Sequence, residues 1–189
     1  MSETIVIVGA KRTPIGAMQG KFNSVTASQL GATAIKAALE QAGVGPGEVD
    51  DLIMGCVLPA GQGQAPARQA ALGAGPDKAA PCTTINKMCG SAMKAAMLAA
   101  DEIASGDAAI VVAGGMESMT NAPHLLPKAR AGYRYGHQKV LDHMAFDGLE
   151  NAYDGKPMGH FADKTAEKNG LTREQRGDCA EGATAPAAN

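Results

Sequence analysis

The sequence of 189 residues predicts an α/β fold with a largely parallel β-sheet that helices cover on both faces. The first observation is that β-branched apolar runs alternate along the chain with alanine-rich segments of helical periodicity. The second is that these runs are continuous rather than alternating with polar residues, which is typical of strands buried on both faces. The third is a composition with 45% apolar residues and 24 glycines, which supplies a core and many turns.

The first part of the chain contains two predicted strands and two predicted helices. Residues 4–8 are β-branched and apolar, and we expect them to form a buried strand that runs into a loop. Residues 28–41 carry apolar side chains at helical spacing and precede Gly43, which predicts a helix with a glycine stop. Residues 49–58 predict the next strand, and residues 65–72 predict a short helix.

The middle of the chain repeats this pattern. Residues 83–85 predict the end of a strand, and Cys89 follows shortly after them. Residues 90–105 predict a helix that is apolar on nearly every face, and we expect it to be buried on all sides. Residues 108–113 are a continuous apolar run that ends at Gly114, so they predict another buried strand.

The character of the sequence changes after Met119. Residues 121–140 contain four basic side chains and no acidic one, and several prolines and glycines interrupt them. An excursion of this length is typical of a binding or interface loop. A further helix is predicted at 158–169. We therefore divide the chain into a sheet-and-helix domain, residues 1–120, and a partial loop domain, residues 121–189.

The bulk properties exclude several classes of function. A net charge of −2 and a pI near 6.1 give no reason to expect a nucleic-acid partner or an anionic membrane surface. The apolar run at residues 5–8 is too short for a signal peptide or a membrane span, so we expect a soluble, cytoplasmic protein. The four cysteines lack the spacing of a zinc site, so we expect reduced thiols and no metal.

The most informative position is Cys89, which lies between a predicted strand end and the alanine-rich helix. The start of a helix presents unpaired backbone N–H groups and the positive end of the helix dipole. Both favour the thiolate form of a cysteine placed there, and the thiolate is the nucleophilic form. The sequence therefore predicts that Cys89 is a covalent nucleophile.

Two segments around this helix closely resemble the thiolase family. They are NKMCGSAMKA at residues 86–95 and GGMESM at residues 114–119. Two such motifs at this separation are a specific signal. The similarity covers residues 4–176, and its supporting segments are residues 7–16, 158–159, 165–168 and 172–175.

The resemblance implies a thiolase-like fold and acyl transfer between CoA thioesters, by cleavage of 3-ketoacyl-CoA or Claisen condensation of two acetyl-CoA, in fatty acid metabolism. It implies that Cys89 carries an S-acyl intermediate and that its backbone N–H donates to the thioester oxygen. It also implies that Met158 lines the acyl pocket. Residues 121–155 would then cover the CoA site and carry a tetramer contact, in a homo-oligomer that needs no cofactor besides its CoA thioester substrates.

The sequence departs from this family in two ways. Thiolases are much longer, and their later half brings a histidine that activates the nucleophile and a second catalytic cysteine. We therefore expect an N-terminal portion without the C-terminal half. The apolar faces that this portion leaves exposed require association or a complementing C-terminal chain. The tail, residues 177–189, departs as well, because Gly177, Gly182 and Pro186 should damage the helix that the family has there.

Other reactive side chains have ordinary structural interpretations. Three cysteines are expected to be small buried hydrophobic residues: Cys56, Cys82 and Cys179. Four histidines are expected in loops or at the surface, and are candidate bases only if this chain works alone: His124, His137, His143 and His160. Glu117 is either catalytic or paired beneath the site. The basic residues between 128 and 139 either meet CoA phosphates or form a solvated interface loop, and we favour the loop.

Three alternative functions stay open at this level. The chain could be a catalytically silent fragment or subunit that binds acyl-CoA. It could be another Claisen-type condensing enzyme of the same superfamily, although such enzymes do not carry this pair of motifs. A plain nucleotide-binding domain is disfavoured, because the sequence has no GxGxxG segment. The reactivity of Cys89 separates the first alternative from acyl transfer.

Overall fold

A computed structural model describes residues 4–187 of the chain. Its α-helices in this range are α1 (Ala27–Ala42), α2 (Pro66–Ala74), α3 (Ser91–Ser105), α4 (Met158–Lys168) and α5 (Arg173–Ala187). Its strands are β1 (Asp51–Gly55), β2 (Cys82–Ile85), β3 (Val111–Gly115), β4 (His124–Leu125) and β5 (Leu141–Asp142). Shorter helical segments are the 3₁₀ turns Pro46–Glu48, Met119–Asn121 and Ala129–Ala131, and the π-helix Met144–Leu149.

The first three strands form a parallel sheet with β1 in the centre, in the order β2-β1-β3. At the carboxyl end of the sheet, Gly55 of β1 lies opposite Ile85 of β2 and Gly115 of β3. Helix α2 connects β1 to β2, and α3 connects β2 to β3. Because all three strands run in one direction, the segments that follow them emerge at the same edge of the sheet.

Helices cover both faces of this sheet. Side chains alternate between the faces of a strand, so Leu52 and Met54 of β1 point to the same side. On that side they pack against α1 and α2 in a buried cluster. The cluster consists of Ala27, Ile35, Leu52, Met54, Ala67, Ala70, Ala71 and Met116. Helix α3 packs against β1 and β3 from the opposite face. The predicted α/β fold with a covered parallel sheet is confirmed.

Helix α1 shows how the local sequence fixes an element. The Thr26 hydroxyl accepts a hydrogen bond from the backbone N–H of Gln29, whose side chain accepts one from the N–H of Thr26. This capping box satisfies N–H groups that the first turn leaves unpaired. Gly43 ends the helix in the left-handed conformation at φ +68°, which glycine adopts without steric cost. The predicted helix and its glycine stop are confirmed.

Glycine also sets the distance between α3 and the sheet. A Cβ atom on Gly55 would collide with the Cβ atom of Ser91, and one on Gly115 would lie 2.9 Å from the Cβ atom of Ala92. The first turn of α3 therefore rests directly on the carboxyl ends of β1 and β3. This close approach carries the residues just before α3 to the edge of the sheet.

Two predictions about burial are wrong. Residues 4–8 form no strand, and Ile7 is 88% exposed. Helix α3 buries Ala95 and Ala99 but exposes Met93 to 73% and Met97 to 55%. In both cases an apolar sequence predicts that a side chain can be buried, whereas burial needs a second surface. Among the described residues, no such surface covers these side chains.

The prediction of a damaged tail helix is also wrong, because α5 runs without a break through Gly177, Gly182 and Pro186. The Thr172 hydroxyl accepts from the N–H of Gln175, and the Gln175 side chain accepts from the N–H of Thr172, so a capping box starts the helix. Two glycines lower helix propensity without forbidding the helix. The last residues of the predicted tail, 188 and 189, lie outside the described residues.

Residues that follow the sheet fold back over its carboxyl edge. Strands β4 and β5 form an antiparallel pair, and the N–H of His143 donates to the carbonyl of Pro123. The division of the chain at residue 120 stays a prediction. Within residues 4–187, no helix is long and apolar enough to cross a bilayer, and no three His, Cys, Asp or Glu side chains are grouped to hold a metal ion.

Candidate active site

Three loops meet where the parallel strands end, and each brings two or more residues to a common cavity. Val57 follows β1, Cys89 follows β2 and Glu117 follows β3. The cavity has a volume of about 380 Å³, and apolar side chains dominate its wall. Its other lining residues are Gly55, Leu58, Met88, Ser91, Ala92, Gly115, Met116, Met119, Met144, Gly148 and Leu149. The carboxyl edge of a parallel sheet is where α/β proteins commonly bind ligands.

Cys89 lies in a tight loop between β2 and the N-cap of α3. Its thiol is free, and the residue is exposed at the cavity wall. The hydroxyl of Ser91 accepts from the N–H of Lys87 at 2.8 Å and donates to the carbonyl of Met88 at 2.6 Å. The sequence prediction that places Cys89 between a strand end and a helix start is therefore confirmed, while its role as nucleophile stays a prediction.

Glu117 holds the loop that follows β1. One carboxylate oxygen accepts from the N–H of Val57 at 2.7 Å, and the other accepts from the N–H of Leu58 at 3.2 Å. Two N–H donors to one carboxylate are charge-assisted hydrogen bonds, which are stronger than neutral ones. The predicted pairing of Glu117 is confirmed, but the residue is half-buried and forms part of the cavity wall, so the catalytic interpretation stays a prediction.

A second cysteine lies behind this carboxylate. The Cys56 sulfur is buried, 3.6 Å from Glu117 Oε1 and 3.3 Å from Gln62 Nε2. Burial, followed by the negative charge of Glu117, raises the pKa of the Cys56 thiol to about 11. Cys56 is therefore a protonated, unreactive thiol at neutral pH, as predicted for a small buried residue.

The π-helix Met144–Leu149 forms another part of the cavity wall, and hydrogen bonds of His143 hold its first turn in place. His143 Nδ1 lies 2.6 Å from Asp147 Oδ2, and the N–H of Ala60 donates to His143 Nε2 at 3.3 Å. The residue is only 5% exposed, so the expectation of a loop or surface histidine is wrong for His143. The signal in the sequence was an acidic residue four positions later, which helical spacing brings alongside.

The remaining predicted residues lie apart from the cavity. Met158 begins α4 and is 46% exposed, and the described lining of the cavity does not include it, so its role in an acyl pocket stays a prediction. Met144 and Leu149 supply apolar surface that the sequence analysis missed. Cys179 is exposed on α5, so the expectation of burial is wrong there. Lys128, Arg130, Arg134 and Lys139 are exposed, as a solvated loop requires.

The fold and the cavity define an α/β protein with an apolar cavity at the carboxyl edge of a parallel sheet and an exposed cysteine in its wall. The chain belongs to the thiolase family: residues 5–187 match the family described as thiolase, N-terminal domain. This match covers both segments that carry the resemblance in the sequence.

Named relatives agree with this assignment. The chain is 52% identical over 178 residues to an acetyl-CoA acetyltransferase of Cupriavidus necator, a match that covers 94% of this chain and 45% of the relative. It is 50% identical to an acetyl-CoA acetyltransferase of Schizosaccharomyces pombe, over 89% of this chain and 43% of the relative. It is 51% identical to acetyl-CoA acetyltransferase 2 of Arabidopsis thaliana, over 93% and 44%. The chain thus spans less than half the length of these curated relatives.

Proposed function

We propose that this chain carries the nucleophilic part of a thiolase that transfers acyl groups between CoA thioesters. The observation that carries the proposal is the position of Cys89, exposed on the wall of an apolar cavity directly before the first turn of α3. The N–H groups of a first helical turn favour an anion, and the thiolate is the form that attacks a carbonyl. Relatives named as acetyl-CoA acetyltransferases support acetyl-CoA as the substrate.

The proposed reaction has two steps. In condensation, the Cys89 sulfur attacks the thioester carbonyl carbon of one acetyl-CoA, the bond to the CoA sulfur breaks, and the proton of the thiol passes to the departing CoA. In cleavage, the sulfur attacks the keto carbon of 3-ketoacyl-CoA, the bond between carbons 2 and 3 breaks, and the thiol proton passes to carbon 2 of the departing acetyl-CoA. The bond to Cys89 then breaks as the acyl group moves to the carbanion of a second acetyl-CoA in condensation or to the CoA thiol in cleavage, and the proton that this acceptor loses returns Cys89 to the thiol. The covalent intermediate thus divides a difficult transfer into two easier ones. The N–H of Cys89 stabilises the oxyanion.

Completion of the reaction is proposed to need groups beyond those of this site. The cavity wall offers one thiol, one backbone-paired carboxylate, the backbone-paired hydroxyl of Ser91 and apolar surface, which suits acyl capture better than deprotonation of an acceptor. Met93 and Met97 form an exposed apolar stripe on α3, one turn apart. We propose that a second copy of the chain or a complementing C-terminal chain covers this stripe. The free thiols fit a reducing, cytoplasmic setting, and no resident cofactor is part of the proposal.

The test is incubation of the purified chain with acetyl-CoA, followed by peptide mass spectrometry. We expect an acetyl group on Cys89, none on exposed Cys179, and none on any residue of the Cys89→Ser variant. Thioester labelling of Cys89 alone supports the acyl-transfer function. A folded chain whose Cys89 stays unmodified, although acetyl-CoA binds, supports instead a silent acyl-CoA-binding fragment.

A further inference from the structure

The residue before the proposed nucleophile has an unfavourable backbone conformation. Met88 lies at φ +49°, in the left-handed region that few residues with a side chain occupy. Its conformation sets the direction of the peptide bond into Cys89. A loop with this conformation persists only where surrounding contacts determine it, and such positions concentrate at functional sites.

Asn86 supplies two of these contacts with a single side chain. Its Oδ1 accepts from the N–H of Met88 at 2.9 Å, and its Nδ2 donates to the carbonyl of Val57 at 3.3 Å. The first bond closes a local turn around Lys87, as asparagine side chains commonly do. The second crosses from the loop after β2 to the loop after β1. Asn86 therefore joins the Cys89 loop to the neighbouring wall of the cavity.

The far end of this bridge is itself fixed. The peptide group that precedes Val57 donates its N–H to Glu117, which follows β3. Asn86 thus bonds to the carbonyl group of Val57, and Glu117 bonds to the N–H group of the same residue. Through this residue, the loops after β1, β2 and β3 form one hydrogen-bonded unit. Ser91 holds the Cys89 loop from its other end, through Lys87 and Met88.

We propose that Asn86 is a positioning residue for Cys89. This inference rests on the proposed function of Cys89 as nucleophile. A carboxamide accepts at one atom and donates at the other, and the bridge needs both abilities at once. Without Asn86, Met88 loses the acceptor that compensates its left-handed conformation. The loop then spends less time in the backbone conformation that places Cys89 directly before the first turn of α3.

The experiment measures alkylation of each cysteine by iodoacetamide at pH 7, with peptide mass spectrometry, in the wild-type chain and in Asn86→Ala and Asn86→Ser. Serine keeps an acceptor for the amide two residues later but is too short to bridge to Val57. Buried Cys56 reports whether the fold is intact, and exposed Cys179 reports the activity of the reagent. The Asn169→Ala variant is the matched control, because its side chain bonds to Thr165 on α4.

We expect Asn86→Ala to slow alkylation of Cys89 by about fivefold to tenfold, the size of one or two lost hydrogen bonds. Asn86→Ser should restore part of the rate, and Asn169→Ala should match the wild type. Cys56 should stay protected and the Cys179 rate unchanged in all of them. A Cys89 rate in folded Asn86→Ala that equals or exceeds the wild-type rate overturns the inference.

If Asn86→Ala fails to fold, Cys56 becomes labelled and Asn86→Ser decides. A slower Cys89 in folded Asn86→Ser supports the positioning role, and a wild-type rate overturns it. The reagent is independent of CoA. If Cys89 takes no acetyl group, the proposed function is contradicted. The alkylation rates then still show whether Asn86 controls the reactivity of that thiol.

Discussion

Two segments of this chain have similar apolar character and different structures. Residues 4–8 are threonine, isoleucine and valine, and β1 contains leucine, isoleucine and methionine. Leu52 of β1 is fully buried in the central strand of the sheet, whereas Ile7 is 88% exposed and belongs to no strand. Apolar character therefore does not separate a core strand from the exposed segment at residues 4–10, which we call the arm.

The difference lies in the neighbours of each segment. Helices α2 and α3 return the chain so that β2 and β3 pair with the two edges of β1. The end of the arm lies along α1. There the N–H of Ala10 donates to the Gln41 side chain, and the backbone of Gly9 approaches the carbonyl of Ala38. A strand is stable only where a neighbouring strand accepts its backbone hydrogen bonds. An apolar run thus states what can be buried, and topology decides what is buried.

The strongest test of this comparison is a matched pair of substitutions. Leu52→Ala should lower the free energy of unfolding by about 3 kcal/mol, because it leaves a cavity between the sheet and α1 and α2. Ile7→Ala should change it by less than about 0.5 kcal/mol, because its side chain is exposed. Urea denaturation followed by circular dichroism measures both. Equal losses would show that the arm is packed in solution.

The next effect concerns the contact between β1 and α3. Gly55→Ala should lower the free energy of unfolding by about 1–3 kcal/mol, since the new methyl group displaces Ser91. It should also slow alkylation of Cys89, because Ser91 fixes the Cys89 loop. Gly177→Ala on α5 is the control, with no neighbouring atom near its new methyl group, and it should not lower the urea midpoint. Unchanged stability and labelling in Gly55→Ala would contradict the role given to this close approach.

A smaller effect concerns Asp50, the residue directly before β1. The arm has no counterpart to this residue. Asp50 accepts from the N–H groups of Ile110 and Ala109, and these two bonds lower the pKa of its carboxyl group. A folded-state pKa below the unfolded one stabilises the protein at neutral pH, and this contribution disappears as the pH falls through the folded-state pKa.

Asp50→Asn should therefore lower the urea midpoint at pH 7, and the deficit should be smaller near pH 3, because the wild-type chain loses this charge as the pH falls toward the folded-state pKa. Urea titrations at the two pH values measure the difference. A deficit that persists undiminished at acid pH would assign the effect to packing rather than to the charge of Asp50.

The smallest expected effect is a gain. Glu102 of α3 has a raised pKa, first because of desolvation and then because of the charges of Asp51 and Asp107. Within the described structure its Oε2 atom is buried without a hydrogen-bond partner. A raised folded-state pKa means that the carboxylate costs stability at neutral pH and that protonation removes the cost. Glu102→Gln should raise the thermal midpoint slightly at pH 7 and leave it unchanged near pH 3, as calorimetry can measure.

Much of the fold and one feature of the site could be predicted from local patterns. The spacing of apolar residues predicted α1 and α2, and continuous apolar runs predicted β1 and β3. The place of Cys89 between a strand and a helix followed from the same patterns. These features depend on residues close together in the chain, so a short window of sequence contains the information.

The contacts that organise the site could not be predicted in this way. Glu117 bonds to residues sixty positions earlier, and His143 receives a bond from Ala60 across 83 positions. No local periodicity encodes such distances. In the sequence, Asn86 has no feature that distinguishes it from other loop residues. Only the folded chain brings the carbonyl of Val57 to its side chain.

The sequence by itself determined helices α1 to α4, the central strands, the family and the position of the nucleophilic candidate, because these depend on local periodicity and short motifs. The tertiary structure alone decided which apolar runs are buried, that Glu117 pairs with backbone, and that Asn86 bridges two loops. The physical reason is that hydrogen bonds and burial each require two surfaces. A sequence names the groups on each surface, and only the folded chain brings the surfaces together.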